Sequence, residues 1–520
     1  MTDKDAYIKQ LENTVSTLTS TVESLQKQVD NMTELIRILQ KSRFGSSSEK
    51  TPLAEVDSEQ LSIFNEAEAS QDPKAEEPAF TTVKGHARLK KGSRKDGFLK
   101  ELPVEEVVFD IADEDKFCGN CGTALKPMGK EFVREEIEYI PASIKILRYY
   151  QLTYECPKCK HTDDPYIIGA DAPVSLMPHS LASSSSVANV MYQKYVNSVP
   201  LYRQEKDWEE LGLRLSRATM ANWVIRCSED YFTPVIERLR EELLKRDIVH
   251  CDETPVQVLK EKGKRPQTKS YMWLYRTGND GKPAIVLYDY QPSRNGDHAV
   301  EYLKDFKGFV HSDGYSGYNK LKGITRCGCW AHVRRKFVEA IPKKPEGSPK
   351  TQAEIGRDFC DKLFHEDSKL KDISPEERFL ARNEKERKIL DEFWKWLDTV
   401  NALNGSALGK AVTYARNQRP YLENYLKDGR LEISNNPAEN AIRPFTVGRK
   451  NWLFSDTPKG ADASAAVYSL VETAKANGLN VRMYLTYLLT NMPDTDWRND
   501  PESLDDMMPW SDNCKAICQG

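Results

Sequence analysis

Two Cys-x-x-Cys pairs place the strongest constraint on how this chain can fold. Cys118 and Cys121 form the first pair, and Cys156 and Cys159 form the second. Four thiolates suit a tetrahedral Zn²⁺ ion, and each pair lies at a turn next to candidate strands. The pattern predicts a zinc ribbon over residues 105–170, with strands on VEEVVFDI, FVREEIEYI and IKILRYYQLTYE. The alternative is four unrelated free thiols.

A heptad repeat covers residues 8–39. Its a positions are Ile8, Val15, Val22, Val29 and Ile36, and its d positions are Leu11, Leu18, Leu25, Met32 and Leu39. β-Branched residues at a with leucine at d favour a parallel two-stranded coiled coil, so we expect a homo-oligomer. The alternative is one amphipathic helix packed on the protein's own body.

Composition predicts a multidomain protein without a membrane span. The chain has 520 residues, of which 39% are hydrophobic and 30% charged. No apolar run approaches the roughly 18 residues that a spanning helix needs. The segment MTDKDAYIKQ has no apolar core of a signal peptide, so a cytoplasmic location with reduced thiols is expected.

Charge is distributed unevenly along the chain. The net charge of −4 does not indicate a nucleic-acid-binding protein, but residues 84–100 hold seven Lys or Arg against one Asp. DNA binding would therefore depend on local basic surface. This basic stretch provides four candidate DNA contacts: Lys90, Lys91, Arg94 and Lys95. The alternative is a solvated linker.

Residues 200–230 predict two helices around a turn. The first helix covers Tyr202–Leu211, Gly212 marks the turn, and Ser216 caps a second helix that begins at Arg217. This is the size of a helix-turn-helix, whose second helix would present Arg217, Thr219 and Asn222 to DNA. An ordinary helical hairpin explains the pattern equally well.

Residues 246–335 predict three successive strands on RDIVHCDETPVQVLK, SYMWLYRT and PAIVLYDYQ, and helices on DHAVEYLKDF and CWAHVRRKFVEA. Further on, SPEERF predicts a helix start with Ser374 as N-cap, Pro375 at N1 and Glu377 at N3.

Two aspartates follow strand-like segments in the region 246–335. Asp252 ends the run IVHCDET, and Asp313 ends GFVHSDGY, so neighbouring strands could bring both carboxylates to one Mg²⁺. An Asp-Gly turn for Asp313 and a structural hydrogen bond for Asp252 are the alternatives.

A third acid, Glu439, lies in SNNPAEN. Asn436 is expected as N-cap, Pro437 as N1 and Glu439 as N3, so a capping box is one interpretation. Two aspartates and a glutamate at a helix start are also what two-metal phosphoryl transfer requires.

The segment CGCWAH offers another metal set of Cys327, Cys329 and His332. A helix start with two buried cysteines is the favoured alternative, because no fourth ligand is evident. Basic residues near the acids suit a phosphodiester substrate, although they also occur on any solvated helix: Arg334, Arg335, Arg443, Arg449 and Lys450.

Taken in order, these segments resemble one known family. They are the heptad, FGSSSEK (44–50), the basic stretch, the two Cys-x-x-Cys pairs, YRQEKDWEELGLRLSRATMANW (202–223), HCDETPV (250–256), HSDGYSGY (311–318), CWAHVRRKF (329–337) and NNPAENAIRPFTVGRKNWLF (435–454). The chain resembles the bacterial insertion sequence sixty-six family of DDE transposases over almost its whole length.

The resemblance implies a multidomain α+β protein with a ribonuclease-H-like catalytic core. It implies that Asp252, Asp313 and Glu439 are catalytic and hold Mg²⁺ or Mn²⁺. It also implies binding of terminal inverted repeats and target DNA, small accessory proteins of the same element, and a cytoplasmic, nucleoid-associated location without membrane contact. The expected reaction is strand cleavage at the element's end, followed by attack of the freed 3′-OH on target DNA.

The expected division of the chain combines the resemblance with the patterns above. The segments are a coiled coil (1–42), a linker with the basic stretch (43–104), the zinc ribbon (105–170), a helical DNA-binding region (175–240), a catalytic core (246–460) with a helical insertion at about 345–430, and a helical C-terminal region with an acidic tail (461–520).

One position departs from the family pattern. Many DDE transposases carry Lys or Arg seven residues after the glutamate, where this chain has Thr446, so Arg443 or Arg449 would take that role. Rival functions are a non-catalytic zinc-dependent DNA-binding protein, an inactivated transposase, and a related nuclease that only cuts.

Overall fold

The computed structural model describes residues 10–19, 21–22, 32, 81–83, 86–88, 143–155, 167–169, 174–345 and 347–519. The chain forms two compact units, Phe44–Ser143 and the remainder. Several predictions lie outside the described residues: most of the heptad, the ligands Cys118, Cys121, Cys156 and Cys159, and the basic Lys90, Lys91, Arg94 and Lys95. Within the heptad, residues 10–19 are helical, as predicted.

A short hairpin is described in the unit Phe44–Ser143. Strand β1 (Thr81–Val83) pairs antiparallel with β2 (His86–Arg88). It lies within the segment predicted as linker, where β-branched Thr81, Thr82 and Val83 favour extended backbone.

A second hairpin pairs β3 (Thr153–Glu155) antiparallel with β4 (Ile167–Gly169). The strand predicted on IKILRYYQLTYE is present only at its last three residues. Residues 143–152 have no regular secondary structure, and Tyr149 and Tyr150 are largely exposed. The apolar residues of this segment predicted a strand, but a strand also needs partners for its backbone N–H and C=O groups.

Four helices precede the main sheet: α1 (Ser184–Tyr195), α2 (Leu201–Glu210), α3 (Arg217–Cys227) and α4 (Thr233–Leu244). The two helices predicted around a turn are present as α2 and α3. Gly212 has a φ of +90°, which glycine adopts without steric cost, and the Ser216 hydroxyl accepts from the Thr219 amide at 3.1 Å. The turn and cap residues predicted from the sequence are therefore confirmed.

The central sheet has five strands: β5 (Ile248–Gln257), β6 (Lys269–Thr277), β7 (Val286–Gln291), β8 (Phe309–His311) and β9 (Thr325–Cys327). Their order across the sheet is β7-β6-β5-β8-β9. Strands β5, β6 and β7 are antiparallel, as expected for successive strands joined by short connections, while β8 and β9 run parallel to β5. The three strands predicted at the start of this region are confirmed.

Helices α5 (Asp297–Tyr302) and α6 (Trp330–Glu339) flank β8 and β9 along the chain, where the sequence predicts them. Four helices then form the predicted helical stretch: α7 (Gln352–Ser368), α8 (Pro375–Ala381), α9 (Arg387–Thr399) and α10 (Ala407–Leu422). The Ser374 hydroxyl accepts from the Glu377 amide at 3.2 Å, and Glu377 reaches back to the Ser374 amide at 3.1 Å. The capping box predicted there is confirmed.

The C-terminal part is helical: α11 (Asn436–Trp452), α12 (Pro458–Ala476), α13 (Val481–Asn491) and α14 (Asp512–Cys518). Helix α12 covers the edge strand β7. The Ser469 hydroxyl accepts from the Tyr288 amide at 2.7 Å and the Thr473 hydroxyl from the Val286 amide at 3.0 Å. These bonds satisfy amides that an open sheet edge would expose.

Two buried cores hold these elements together. One core joins α1–α4, most of the sheet and α11–α14. The other joins α6 to the helices α7, α9 and α10 through aromatic side chains such as Trp330, Phe337 and Phe393. The helical stretch therefore has its own core, and it packs on the sheet through α6. In the described part of the chain, no helix is long and apolar enough to cross a membrane.

Candidate metal-binding active site

The sheet register relates the positions of Asp252, which lies on β5, and Asp313, which lies just after β8. Strands β5 and β8 are parallel, with His250 paired to His311, and each aspartate follows its histidine by two residues. Adjacent strands lie about 4.8 Å apart, so the two aspartates emerge side by side. The charge of Asp313 accordingly acts on Asp252 and raises its pKa.

The expectation that Asp252 ends a strand is wrong, whereas the strand predicted on RDIVHCDETPVQVLK (246–260) covers all of β5. Strand β5 continues to Gln257 because β6 pairs with it along its whole length, whereas pairing with β8 stops at His250. Asp252 therefore lies where one side of β5 is still bonded and the other has opened. Its main chain is fixed by the sheet, while its carboxylate stands beside the gap.

Burial is the main cause that holds the pKa of Asp252 well above its usual value, and the charges of Glu253, Asp313 and Glu439 add to it. One backbone bond opposes the shift, because the Glu253 amide donates to Asp252 Oδ1 at 2.9 Å. A buried carboxylate among like charges is a strong attractor for cations.

The loop that carries Asp313 is anchored by the buried Arg326. Its Nε donates to the Ser312 hydroxyl at 2.8 Å, and its guanidinium also donates to the Asp313 carbonyl. On the other side of the loop, Asp313 Oδ1 accepts from the Tyr315 amide at 2.9 Å. This bond is typical of an Asp-Gly turn, so the turn interpretation and the position beside Asp252 hold together.

Glu439 lies in the first turn of α11, but the capping box predicted for it is wrong. The N-cap is Asn435, one residue earlier than expected, and Glu439 is beyond the N3 position. The amide of Asn436 contacts the Ser434 hydroxyl at 3.4 Å instead of the glutamate. The side chain of Glu439 is thus not used for capping. Its charge is available to the acidic cluster, which consists of Asp252, Asp313 and Glu439.

Asn435 fixes the start of α11 to the sheet. Its side-chain nitrogen donates to the Cys251 carbonyl at 2.8 Å, and its Oδ1 lies 3.1 Å from His250 Nδ1. Its backbone amide donates to Cys329 Sγ at 3.2 Å. A single buried asparagine therefore sets the position of Glu439 relative to β5 and α6.

Two stacked histidines lie beneath the aspartates. The rings of His250 and His311 are parallel, with centroids 4.3 Å apart. Burial lowers the pKa of His250 to about 4 and the pKa of His311 well below its usual value. Both rings are neutral near pH 7, so they add no positive charge that would offset the acids.

Glu439 is also part of a second cluster, with Cys329 and His332. One ligand atom from each of the three residues lies within 4.8 Å of the others. His332 Nδ1 and Glu439 Oε1 are 3.5 Å apart. Cys327, which the sequence grouped with this set, points elsewhere and is buried in the core around α6. The structure thus replaces Cys327 by a carboxylate from a distant segment.

A family model described as "Transposase IS66 family" matches residues 179–463, more than half of the chain. The chain belongs to the IS66 transposase family. Other IS66 models match residues 115–160 (zinc-finger binding domain) and 469–510 (C-terminal element), and one described as "Transposase C of IS166 homeodomain" matches residues 31–107. Together these matches confirm the family that the sequence motifs indicated.

The curated relatives of this IS66 chain come from Sinorhizobium fredii (strain NBRC 101917 / NGR234). It is 28% identical to "Uncharacterized protein y4qI" over 97% of its length and 93% of the relative's. It is 27% identical to "Uncharacterized protein y4jD" over 81% of its length and 82% of that protein's. The first similarity therefore extends over nearly the whole length of both chains.

The basic residues named from the sequence differ in how they are engaged. Arg334 pairs with Asp361 at 2.5 Å, and Arg335 pairs with Glu439 at 3.3 Å. Arg449 is held against β5, since its Nη1 donates to the Thr254 hydroxyl at 3.1 Å. Arg443 is exposed on α11, one turn after Glu439.

Sequence reasoning missed a second carboxylate next to Asp252. Glu253 is buried, and it accepts from Arg294 Nη2 at 2.6 Å and from the Tyr318 hydroxyl. Burial raises the pKa of Glu253, Asp313 adds to the rise, and the bonds from Tyr318 and Arg294 oppose it. The adjacent Asp-Glu pair in HCDET was the available signal, but only the fold identifies which acid is already bonded.

Proposed function

We propose that this chain is the transposase of a bacterial insertion sequence, which cuts and joins DNA strands with Asp252, Asp313 and Glu439. The observation that carries the proposal is the convergence of three acids from distant segments. The charges of Asp313 and Glu439 both raise the pKa of Asp252. Like charges are costly to gather in a buried place, and a cation-dependent function explains why they are gathered.

The acids fit divalent cations. Their oxygens are the ligands that Mg²⁺ and Mn²⁺ prefer, and Glu439 Oε1 is buried without a hydrogen-bond partner in the described part of the chain. Two bound cations would activate the attacking oxygen and stabilise the leaving oxygen of a phosphodiester.

Positioning is the main contribution of the chain's own residues. The sheet holds Asp252, the Arg326 anchor holds Asp313, and Asn435 holds the helix of Glu439. Arg443 takes the role that Lys or Arg has seven residues after the glutamate in related enzymes, contacting the DNA phosphate. In phosphoryl transfer, such positioning and charge compensation supply most of the rate.

The sheet is proposed as the ribonuclease-H-like core, within a catalytic domain of residues 246–460. The mixed five-stranded sheet with acids on its central strands supports this assignment. Residues 345–430, with the core around α6, would be the helical insertion between the second and third acids. Ligand sites in α/β sheets commonly form where neighbouring central strands end, which is where Asp313 lies.

DNA ends are proposed to bind the helices of residues 175–240. Arg217, Thr219 and Asn222 are exposed on the first two turns of α3, which is where a recognition helix presents its base contacts. The basic stretch with Lys90 and Lys91 would add phosphate contacts.

A homo-oligomer through residues 8–39 is proposed as well. The seam residues Leu11, Val15 and Leu18 are each about half exposed or more in the single chain, with exposed fractions of 48%, 61% and 59%. Such exposure supports a partner helix over packing on the protein's own body.

The zinc ribbon gives a prediction of its own. Cys156→Ser is expected to remove one zinc per chain and to unfold the ribbon, because structural zinc contributes folding energy directly. The catalytic core should keep its thermal unfolding transition. Elemental analysis of the zinc content tests this. The control is Cys360→Ala, which removes a buried cysteine of the core around α6. Equal zinc in wild type and Cys156→Ser would contradict the ribbon.

A strand-transfer assay tests the proposed function. Labelled duplexes from the DNA that borders the gene are incubated with the full chain, Mg²⁺ and a plasmid target. We expect cleavage that exposes a 3′-OH, followed by joining of the label to the plasmid. Cleavage without joining would indicate a nuclease, and binding without cleavage would indicate a non-catalytic DNA-binding protein.

A further inference from the structure

The three side chains of the second cluster come from two helix starts that face each other. Cys329 is the N-cap of α6, His332 lies in the first turn of α6, and Glu439 lies in the first turn of α11. Their ligand atoms lie within 4.8 Å of one another. Because α6 and α11 are held together by the bond from the Asn435 amide to Cys329 Sγ, the three groups are fixed rather than adjacent by chance.

The distances within the cluster suit shared ligands better than a direct bond. His332 Nδ1 and Glu439 Oε1 are 3.5 Å apart, and neither atom has a hydrogen-bond partner among the described residues. A direct bond would bring them to about 2.7–3.2 Å. Nitrogen and oxygen ligands of one tetrahedral zinc, each about 2.1 Å from the ion, lie about 3.4 Å apart.

Arg335 occupies the outward atoms of the same two side chains. Its guanidinium lies 3.3 Å from Glu439 Oε2 and 3.4 Å from His332 Nε2. The inner atoms, Nδ1 and Oε1, are therefore left to face Cys329. The contact with Oε2 is an outer partner that orients Glu439 as a ligand. Because arginine has only donors, its contact with Nε2 is released when Nδ1 binds a metal and Nε2 carries the ring proton.

We propose that Cys329, His332 and Glu439 form a site for a borderline transition metal of the Zn²⁺ class. Thiolate and imidazole ligands select such ions over Mg²⁺, which prefers oxygen alone. Two residues separate Cys329 and His332, as they do the paired ligands of Cys-x-x-Cys zinc sites. Three protein ligands leave one coordination position open. The site adjoins the acidic cluster because Glu439 belongs to both. The charge of Asp313 also reaches the site, since it opposes the lowering of the His332 pKa by burial.

One consequence rests on the proposed function. Glu439 belongs to both the zinc-class site and the acidic cluster, and its two oxygens cannot serve both sites fully. Zn²⁺ added to the Mg²⁺-dependent reaction is therefore expected to inhibit strand cleavage by withdrawing Glu439.

The binding test uses the full chain without DNA. Zn²⁺ is titrated against a competing chromophoric chelator, for wild type, Cys329→Ser, His332→Ala and the control Cys327→Ala. Wild type and Cys327→Ala should bind one zinc equivalent more than the ribbon supplies. The other two variants should lose that equivalent or bind it at least about tenfold more weakly, since even outer-shell changes cost tenfold or more.

Folding is checked on the same samples. A serine hydroxyl can still accept the bond from the Asn435 amide, so Cys329→Ser should melt within a few degrees of wild type in zinc-free buffer. His332→Ala gives an independent variant, because its ring is partly exposed. Equal zinc stoichiometry and affinity in all four folded proteins would overturn the proposed site.

Asp252→Asn separates this inference from the proposed function. It should abolish cleavage yet keep the extra zinc equivalent, because Asp252 is not one of the three ligands. If wild type fails to cut DNA but binds the extra zinc through Cys329 and His332, the metal site stands and the transposase mechanism fails. If it cuts DNA but binds no extra zinc, the reverse holds.

Discussion

Glu439→Gln is expected to reduce Mg²⁺-dependent DNA cleavage by at least about a thousandfold, because metal positioning and charge supply most of the catalysis. A neutral amide is a poor ligand for a hard cation. The free energy of unfolding should change by less than about 1 kcal/mol. Glu439 caps no helix, its ion pair with the half-exposed Arg335 is weak, and removing its charge relieves Asp252. Cleavage assays and thermal melting on one preparation measure both effects.

Glu423→Gln is the matched control. Glu423 also pairs with one arginine, Arg387 at 2.7 Å, but it lies in the helical insertion. This variant should cut DNA at the wild-type rate, which separates the loss of a ligand from the loss of any carboxylate. A Glu439→Gln protein that cuts within about tenfold of wild type would remove Glu439 from the metal site.

The acids could be found from the sequence, but their environments could not. The segments HCDET and HSDGY each place a carboxylate after an apolar run, and that pattern predicted a strand before each aspartate. It did not predict that pairing with β8 stops at His250 while pairing with β6 continues to Gln257, because the partner strands set the extent of each pairing. Pairing between distant segments is a property of the whole sheet and has no local signal.

The helix start at Glu439 shows the same limit. In SNNPAEN either asparagine could begin the helix, and the pattern favoured Asn436. The fold selects Asn435 because its side chain is used in bonds to Cys251 and His250, which come from 184 and 185 residues away in the chain. Local capping preferences amount to about 1 kcal/mol, so a few buried tertiary bonds outweigh them.

The cluster of Cys329, His332 and Glu439 could be recognised only from α6 and α11 together. The sequence grouped Cys327, Cys329 and His332 by proximity along the chain and found no further ligand. In the fold, Cys327 belongs to β9 and faces the insertion core, while α11 brings Glu439 to the other two residues. In a continued strand, residues 327 and 329 would lie on one face, but β9 ends at Cys327 and Cys329 already begins α6, so the chain turns between the two thiols.

The raised pKa of Asp252 has a consequence for stability in Mg²⁺-free buffer. The pKa of Asp252 is higher in the folded state than in the unfolded chain, where an aspartate carboxyl has a pKa of about 3.9. Stability therefore falls as pH rises between the unfolded pKa and the folded pKa. The penalty is absent below about pH 4, and it is complete once pH exceeds the folded pKa.

Asp252→Asn is expected to raise the unfolding temperature of the Mg²⁺-free protein at neutral pH, and the gain should shrink towards zero near about pH 4. The gain at neutral pH reflects how far the folded state raises the proton affinity of Asp252 above that of the unfolded chain. Mg²⁺ should stabilise wild type by binding the folded state, and it should stabilise Asp252→Asn much less.

Asp289→Asn is the control. Burial raises the pKa of Asp289 to about 6, and this residue lies on β7, two strands away from β5. That variant should show its own pH-dependent gain but keep the full response to Mg²⁺. If Mg²⁺ stabilises wild type and Asp252→Asn equally, the cation does not bind at Asp252, and the buried acids need another explanation.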